Sequence, residues 1–280
     1  MTSTPLQVEL DDDNAVATVI ITGTAAGNAL GGAAFDALVT TLGALTADGR
    51  VGAIVLRGTG DTFSVGLDLR WYLPAYRRLV RAGDEGAAAR RALHEQTVTL
   101  QRAVTAVEEC PVPVVAAIAG QCVGAALELV TACDLRVASA DAVFTAAEVD
   151  IGVVADLGLL QRLPRIIGAG ATADLALTGR AVDASEAFRL GLVSRVAANP
   201  ASLYIIAAAL AARIAGAERH VTAGIKQVLR ASRDLSVEQG LALSAVWSAA
   251  FLPSTGFTDR LRDRMGGGWP VVTTAGRSLP

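Results

Sequence analysis

The stretch PVVAAIAGQCVGAALELVTACDLRVASADAVF, residues 113–144, predicts the fold of this chain. Its first seven residues are a continuous apolar run, which is typical of a buried strand. Gly120 ends that run, and a small-residue turn leads from it into a helical segment that contains Glu128. Two short β-rich pieces follow, at 134–139 and 142–146. Strands that alternate with a helix in this way indicate an α/β fold.

The same alternation of strand and helix precedes this stretch. Four segments carry it: AVATVIIT at 15–22, a helical pattern over 31–47, VGAIVLRG at 51–58 and a helical pattern over 86–109. From residue 201 onward, three helical segments follow one another with little strand signal. The pattern predicts an α/β core over residues 1–200 and a helical C-terminal region over 201–280.

Composition and charge restrict the class of protein. Hydrophobic residues make up 52% of the 280 residues, yet no apolar run reaches about 18 residues without a charge, so no membrane-spanning helix is predicted. The net charge of −3 and the lack of a basic block argue against binding to nucleic acid. Because the mean hydropathy of +0.46 is high for a soluble monomer, we expect the extra apolar surface to lie in subunit interfaces.

The cysteines and the two ends of the sequence bear on location. Cys110, Cys122 and Cys133 are odd in number and have no CxxC spacing, which is typical of buried thiols in a reducing compartment. The first residues, MTSTPLQVELDDD, lack the charged-then-apolar pattern of a signal peptide. The last residues, GRSLP, do not match a peroxisomal address. These features predict a cytoplasmic protein.

Several common catalytic motifs do not occur in the sequence. Its two histidines, His94 and His220, do not lie near a Ser or Cys motif, so neither a histidine-based triad nor a zinc site is predicted. GAGATA at 168–173 is similar to a dinucleotide fingerprint, but Pro164 leaves little room for the strand that must precede such a fingerprint. We interpret GAGATA as a turn at the start of a helix.

Two turns between a strand and a helix could present free backbone N–H groups. In DTFSVGLDLR (61–70), Asp68 can cap the next helix, and the N–H groups around Leu67 would point outward at the helix start. In GQCVGAALEL (120–129), the small residues at 124–126 would let a ligand approach the backbone. Each turn alone is an ordinary feature. If the two helix starts face each other, they form an oxyanion hole for a carbonyl group.

Carboxylates are concentrated near these turns. AEVDIGVVADLGLLQRL (147–163) is mostly apolar, yet it contains Glu148, Asp150 and Asp156, and Glu128 lies in the first turns of the second helix. An apolar pocket raises the pKa of a carboxylate. A thioester whose carbonyl is held by two N–H groups becomes acidic at Cα, and such carboxylates can then move protons or activate water. This chemistry needs no metal and no redox cofactor.

Together these segments resemble the crotonase, or enoyl-CoA hydratase/isomerase, superfamily. The similar segments are FSVGLDL (63–69), the stretch at 113–144 and EVDIGVVADLGLLQRLPRIIG (148–168). The resemblance implies a spiral of stacked ββα units, a helical C-terminal region that forms a homotrimer or hexamer, and a coenzyme A thioester substrate without a separate cofactor. It also implies oxyanion N–H donors and substrate contacts at these positions: Leu67 and Ala125 as donors, and Ser64, Val65, Gly66, Asp68 and Gly124 as contacts.

Two branches of this superfamily match different residues of the chain. Hydratases use two glutamates to hold the water that adds to a 2-enoyl-CoA, and these match Glu128 and Glu148. Dienoyl-CoA isomerases have an aspartate where hydratases have glycine, and EVDIGVVADLGLLQRLP has Asp156 there, although that branch usually has aspartate at position 128. The resemblance favours a Δ3,5-Δ2,4-dienoyl-CoA isomerase. An enoyl-CoA hydratase and an oligomer that only binds CoA esters are the alternatives.

The isomerase alternative gives two of the acids separate roles. Conversion of a 3,5-diene to a 2,4-diene removes a proton at C2 and adds one at C6, and these carbons lie roughly 5 Å apart in an extended chain. We expect Glu148 to act at C2 and Asp156 at C6. Asp150 is expected on the same face as Glu148 in an extended segment, as a capping or ion-paired carboxylate. The segment 71–95 is expected to shape the acyl pocket.

Overall fold

The computed structural model describes residues 4–83, 86–252 and 254–265. The chain divides into two compact units, with the boundary between Ala223 and Gly224. The first unit contains both β-sheets, and the described part of the second unit is helical. A functional boundary at residue 200 and an oligomerisation role for the C-terminal region stay predictions.

The strands form two sheets. In chain order they are β1 (Leu6–Asp11), β2 (Val16–Ile21), β3 (Ala53–Gly58), β4 (Val114–Ile118), β5 (Gln121–Val123), β6 (Leu135–Ser139), β7 (Val143–Thr145), β8 (Ala181–Asp183) and β9 (Val196–Ala197). The larger sheet has the order β1-β2-β3-β4-β6-β9, and in it β1 and β2 pair antiparallel while the later pairs are parallel. The smaller sheet has the order β5-β7-β8.

Helices pack on both faces of the larger sheet, and the chain after the last strand is helical where it is described. They are α1 (Gly32–Ala47), α2 (Leu69–Ala82), α3 (Ala87–Glu109), α4 (Ala125–Thr131), α5 (Leu159–Arg162), α6 (Pro164–Ile167), α7 (Ala169–Thr178), α8 (Ala184–Leu190), α9 (Pro200–Ala215), α10 (Arg219–Ala231), α11 (Val237–Phe251) and α12 (Thr255–Arg264). Helices α1, α3 and α4 contribute to the core on one face of the sheet, and α9 packs on the other face.

The larger sheet is buried on both faces, which explains its continuous apolar strands. In β3, Ile54 and Leu56 belong to the core that contains α1 and α3, whereas Ala53 and Val55 belong to the core that contains α9. Successive side chains of a strand point to opposite faces, so a strand covered on both faces needs apolar residues at consecutive positions. The same argument explains the apolar run at the start of the stretch 113–144.

A strand–strand–helix unit recurs along the chain. Strand β4 of the larger sheet is followed by β5 of the smaller sheet and then by α4. Strand β3 is followed by Ser64, which forms a bridge with Cys122 of β5, and then by α2. Strand β6 is likewise followed by β7. This arrangement confirms the predicted α/β fold with stacked ββα units, and it brings the two strand-to-helix turns side by side.

Most predicted elements occur within a few residues of their expected bounds, but several short ones were not predicted. Strands β1, β8 and β9 and helix α12 had no assignment from the sequence. Gly168 is the residue before α7, which confirms that GAGATA begins a helix. Within the described ranges, no single helix is long and apolar enough to span a membrane, although two bent helix pairs reach that length and composition.

Candidate functional site

A pocket of about 230 Å³ lies between the two strand-to-helix turns and the carboxylate segment. Its walls are mostly apolar, and its polar groups come from a few positions. The lining residues are Val65, Leu67, Leu69, Tyr72, Thr97, Leu100, Val123, Gly124, Ala125, Glu128, Ala147, Glu148, Ile151, Val153, Asp156 and Leu157. An apolar cavity with a few convergent polar groups is the usual form of a small-molecule site.

The two expected N–H donors lie in the wall of this pocket. Leu67 and Ala125 follow Gly66 and Gly124, which have φ of +90° and +53°. A Cβ atom on Gly66 would collide with the carbonyl of Val123 and would lie 3.4 Å from the nitrogen of Ala125, so the two turns are in contact. Among the described residues, no carbonyl or side chain accepts a hydrogen bond from either N–H. Both donors are therefore available to a ligand oxygen.

The turn that precedes Leu67 is held by buried polar side chains. Ser64 donates its hydroxyl proton to the carbonyl of Asn28 at 2.8 Å and accepts from the N–H of Gly66 at 3.0 Å. The Asn28 amide donates to the carbonyls of Thr59, Thr62 and Phe63. Asn28 also has a φ of +58°, a conformation that asparagine tolerates better than most residues. No pattern in the sequence pointed to this role of Asn28.

The expected substrate contacts divide into two groups. Val65 and Gly124 line the pocket, whereas Ser64, Gly66 and Asp68 lie behind its wall and build the turn. Asp68 accepts hydrogen bonds from the N–H groups of Arg70 and Trp71 at 3.0 and 3.4 Å, which confirms that it caps α2. Contact between substrate and these three residues stays a prediction.

Glu128 is the most buried of the site carboxyl groups. The residue is 1% exposed, and its Oε2 accepts hydrogen bonds from the N–H groups of Leu157 and Leu159 at 2.8 and 2.9 Å. Burial, together with the charge of Glu148, raises the pKa of Glu128 to about 8 despite the lowering effect of the two N–H donors. Glu128 therefore holds a proton at neutral pH.

Glu148 lies next to Glu128 with an oxygen that has no partner. Its Oε2 is buried and makes no hydrogen bond within the described part of the chain. Burial raises the pKa of Glu148, and the charge of Asp156 adds to this effect, whereas a hydrogen bond from Glu128 lowers it. A Cβ atom on Gly124 would lie 3.1 Å from Oε1 of Glu148. Glycine at position 124 thus leaves room for this carboxyl group beside the turn.

Asp156 completes a set of three carboxyl groups in one pocket. The residue is exposed overall but lines the pocket, and partial desolvation there raises its pKa. It is not the cap of the next helix, because the residue that precedes α5 is Gly158. A group whose pKa moves towards neutrality can exchange protons with a substrate near pH 7.

Asp150 does not share a face with Glu148, which corrects the expectation from the sequence. Residues Val149–Ile151 form a short 3-10 helix instead of an extended segment, so two residues of spacing do not place side chains on one side. Asp150 does not line the pocket. Its carboxyl group lies beside Gly179, where a Cβ atom would come within 2.9 Å of Oδ1. The tight turn between Glu148 and Gly152 was not recognisable from the apolar pattern.

The acyl wall of the pocket extends beyond the predicted segment. Tyr72 lies in the range 71–95, but Thr97 and Leu100 on α3 and Ile151 and Val153 also line the cavity. Desolvation raises the pKa of Tyr72, and the charge of Asp156 raises it further, so the phenol lies near this carboxylate.

Where the structure describes the chain, no cluster of three or more His, Cys, Asp or Glu has the form of a metal site.

An alternating α/β core with paired N–H donors beside acidic groups fits an enzyme that acts on acyl thioesters. The chain belongs to the enoyl-CoA hydratase/isomerase family, whose model matches residues 11–254. This result confirms the family, the fold and the class of enzyme predicted from the sequence.

Individual relatives cover most of the chain. A peroxisomal Δ3,5-Δ2,4-dienoyl-CoA isomerase of Arabidopsis thaliana is 38% identical over 258 residues, which are 92% of each chain. A mitochondrial enzyme of the same name from Mus musculus is 37% identical, over 80% of this chain and 68% of its own length. A crystal structure of an enoyl-CoA hydratase from Mycobacterium smegmatis has a TM-score of 0.79 at 26% identity, over 94% of this chain and 96% of that chain.

The predicted cytoplasmic location is contradicted by these relatives. The two dienoyl-CoA isomerases are named as a peroxisomal and a mitochondrial protein. The cysteine pattern and the two chain ends are therefore not a sound basis for assigning a compartment to this chain.

Proposed function

We propose that this enzyme converts 3,5-dienoyl-CoA to 2,4-dienoyl-CoA, with Glu148 and Asp156 as the two proton-transfer groups. The observation that carries the proposal is the presence of both carboxyl groups in one apolar pocket with two N–H groups that have no acceptor in the described part of the chain. The similarity to relatives named as dienoyl-CoA isomerases supports the same reaction.

The reaction requires one proton to leave and another to arrive. The thioester oxygen accepts hydrogen bonds from the N–H groups of Leu67 and Ala125, which stabilise negative charge on that oxygen. Glu148 takes the proton from C2, and the C2–H electron pair becomes the C2=C3 double bond. The C3=C4 pair shifts to C4=C5, and the C5=C6 pair takes a proton from Asp156 at C6. Atoms and charge balance, because Glu148 gains the proton equivalent that Asp156 gives up.

The electrostatics of the pocket suit this exchange. Desolvation raises the pKa of Asp156, which favours the protonated acid needed at C6. Burial raises the pKa of Glu148 as well, but the hydrogen bond from Glu128 opposes this rise and so supports the carboxylate needed at C2. After each turnover, proton exchange with water or between the two acids restores the starting state. Glu128 itself stays protonated and serves as a hydrogen-bond donor to Glu148.

Hydration of a 2-enoyl-CoA is the second candidate function. Glu128 and Glu148 lie beside each other in the pocket, as a pair that holds one water would require. Glu128 is a glutamate at a position where the isomerase branch usually has aspartate. An assembly that binds CoA esters without turnover remains the third candidate, and the same assay separates all three.

The substrate and assembly follow from the proposal. The substrate is an acyl-CoA thioester, and the proton shuttle uses only side chains and backbone N–H groups, so we propose that no further cofactor takes part. We also propose a homotrimer or a hexamer as the working assembly. The many exposed apolar side chains of the single chain, such as Leu241 at 65% and Val246 at 67%, support self-association.

Parallel turnover of a 3,5-dienoyl-CoA and a 2-enoyl-CoA tests the proposal. Conjugation of the diene raises ultraviolet absorbance, whereas hydration of the enoyl group lowers it. We expect the wild type to isomerise the diene and Asp156→Asn to lose at least about 100-fold in kcat, because general acid catalysis contributes about 10²–10⁴-fold. Asparagine keeps the size of the side chain, so the pocket should still bind the substrate.

The control is Asp150→Asn, which changes a neighbouring carboxylate outside the pocket. This variant should keep the wild-type rate of isomerisation. Full activity in Asp156→Asn would contradict the role of Asp156, and hydration without isomerisation in the wild type would favour the hydratase. CoA-ester binding without either reaction would favour the binding protein.

A further inference from the structure

The segment 156–162, named here the Asp156 segment, is tied to helix α3 by two side chains. Gln101 of α3 donates from Nε2 to the backbone carbonyl of Asp156 at 2.6 Å. This bond acts on the residue that carries the second acid, although 55 positions separate the two residues in sequence. It is also the only link between α3 and Asp156 itself that the described hydrogen bonds include.

Arg162 forms the second link at the other end of the segment. Its Nε donates to Glu108 at 3.0 Å, its Nη2 donates to Thr105 at 3.1 Å, and its Nη1 donates to the carbonyl of Leu157 at 3.3 Å. The Arg162 and Glu108 side chains are only 12% and 15% exposed, so water screens this ion pair weakly. The guanidinium group is packed against Gly158, and a Cβ atom on residue 158 would collide with it.

The residues of α3 that make these contacts form one stripe. Gln101, Thr105 and Glu108 are spaced by four and three positions, which places them on the same face of a helix. Thr97, four positions earlier, lines the pocket on the same face. Helix α3 thus contacts the acyl pocket and the backbone around Asp156 with a single continuous surface.

The Asp156 segment is also held from the opposite side. Glu128 of α4 accepts from the N–H groups of Leu157 and Leu159, while α3 and Arg162 hold the carbonyls of Asp156 and Leu157. The backbone on the C-terminal side of Asp156 is therefore fixed by side chains of α3 and α4 and by Arg162 of α5. Neither Gln101 nor Arg162 makes a hydrogen bond to Glu148.

We propose that Gln101 and Arg162 are positioning residues that aim Asp156 at the far end of the acyl chain, so that they serve isomerisation and not proton removal at C2. This inference rests on the proposed isomerase function. Loss of either side chain removes part of the hydrogen bonding that fixes the backbone around Asp156, whereas neither side chain bonds to the oxyanion donors or to Glu148. A displacement of about 1 Å in a catalytic group can lower a rate by about 100-fold.

The proposal predicts that the variants slow proton delivery at C6 much more than proton removal at C2. In Gln101→Leu, which removes the donor but keeps a side chain of similar size, kcat for isomerisation should fall about 10- to 100-fold with KM nearly unchanged. Exchange of the C2 hydrogen of a 3,5-dienoyl-CoA with deuterium from D2O should continue, because it needs only Glu148 and the oxyanion donors. The ratio of exchange to isomerisation should therefore rise at least about tenfold.

Arg162→Lys is the second variant. Lysine keeps the positive charge beside Glu108 but cannot make three separate contacts in a fixed planar geometry, so the same signature is expected. The matched control is Arg180→Lys, because Arg180 also makes several side-chain contacts at once, to Asp174 and Glu186, and lies outside the pocket. Thermal unfolding of each variant shows that it is folded at the assay temperature.

The outcomes distinguish this inference from the proposed function. A wild type that exchanges or binds the substrate but never isomerises it refutes the function. A wild type that isomerises, together with a folded Gln101→Leu that keeps full kcat, refutes the positioning role. Equal loss of exchange and isomerisation in Gln101→Leu also refutes it, because that result shows a general disturbance of the pocket. If Arg162→Lys does not fold, Gln101→Leu alone decides.

Discussion

Replacement of Glu128 with glutamine is predicted to change how the stability of the protein depends on pH. Glutamine keeps a carbonyl oxygen that can accept from the N–H groups of Leu157 and Leu159, as Oε2 of Glu128 does at 2.8 and 2.9 Å. Its amide can donate towards Glu148, as the protonated glutamate does. The variant therefore imitates the neutral acid permanently and removes only the ionisation.

The size of the effect follows from the two pKa values of Glu128. Burial raises its pKa from an ordinary 4.5 to about 8 in the folded protein. Below pH 4.5 both the folded and the unfolded chain hold the proton, so the contribution of Glu128 to the free energy of unfolding is fully present. Between pH 4.5 and about 8 the unfolded chain releases the proton and the folded chain keeps it, so the free energy of unfolding falls by about 1.4 kcal/mol per pH unit. The full window corresponds to a loss of roughly 5 kcal/mol.

The assay is urea unfolding of wild type and Glu128→Gln at pH values from 5 to 8.5. The difference in the free energy of unfolding should shift in favour of the variant by several kcal/mol as the pH rises. Glu148 and Asp156 also have raised pKa values, so the variant should keep part of the pH dependence. Parallel curves for the two proteins would refute the conclusion that buried Glu128 carries a proton at neutral pH.

Glu186→Gln provides the control with the opposite sign. Hydrogen bonds from Arg180 hold the pKa of Glu186 below its ordinary value, so its contribution to stability is present above that ordinary value and is lost as the pH falls. Removal of this carboxylate should therefore not flatten the alkaline side of the curve.

Two further predictions concern a glycine and the thiols. Gly124→Ala forces a side chain onto a φ of +53° and brings its Cβ 3.1 Å from Oε1 of Glu148, so we expect a loss of about 1–3 kcal/mol in stability and a fall in kcat. Gly60→Ala also places a side chain at a positive φ, +65°, but no atom lies within 4 Å of the new Cβ. This variant should therefore lose stability and keep its activity. Equal losses of kcat in Gly124→Ala and Gly60→Ala would contradict the steric argument for Gly124. The second prediction concerns three buried thiols, Cys110, Cys122 and Cys133, which are 4%, 0% and 4% exposed. Burial also raises the pKa of Cys122. A thiol reagent should therefore label none of the three in the folded protein and all three in denaturant. Rapid labelling of the folded protein would show that the core opens more easily than its packing implies.

The sequence alone predicts those parts of the fold in which local pattern and final environment agree. Strand β3 lies in a continuous apolar run because both faces of the larger sheet are covered, and such a run is visible without coordinates. Strands β5 and β8 have three residues each, which is too short for a periodic signal, and their assignment depends on pairing with β7. A polar-rich strand such as β1, buried only at Leu6, also has no strong signal.

The candidate site shows the same division. The motifs around Leu67, Ala125, Glu128, Glu148 and Asp156 are readable because each is a local pattern of glycines, small residues and acids. Only the tertiary structure decided that these five residues line one pocket and that Asp150 faces away from it. It also decided which distant side chains hold the acids in place: Gln101 lies 55 positions from Asp156, and Glu128 lies 29 positions from Leu157. Contacts of this range depend on how the sheet and α3 and α4 pack, and no local pattern in the chain records that packing.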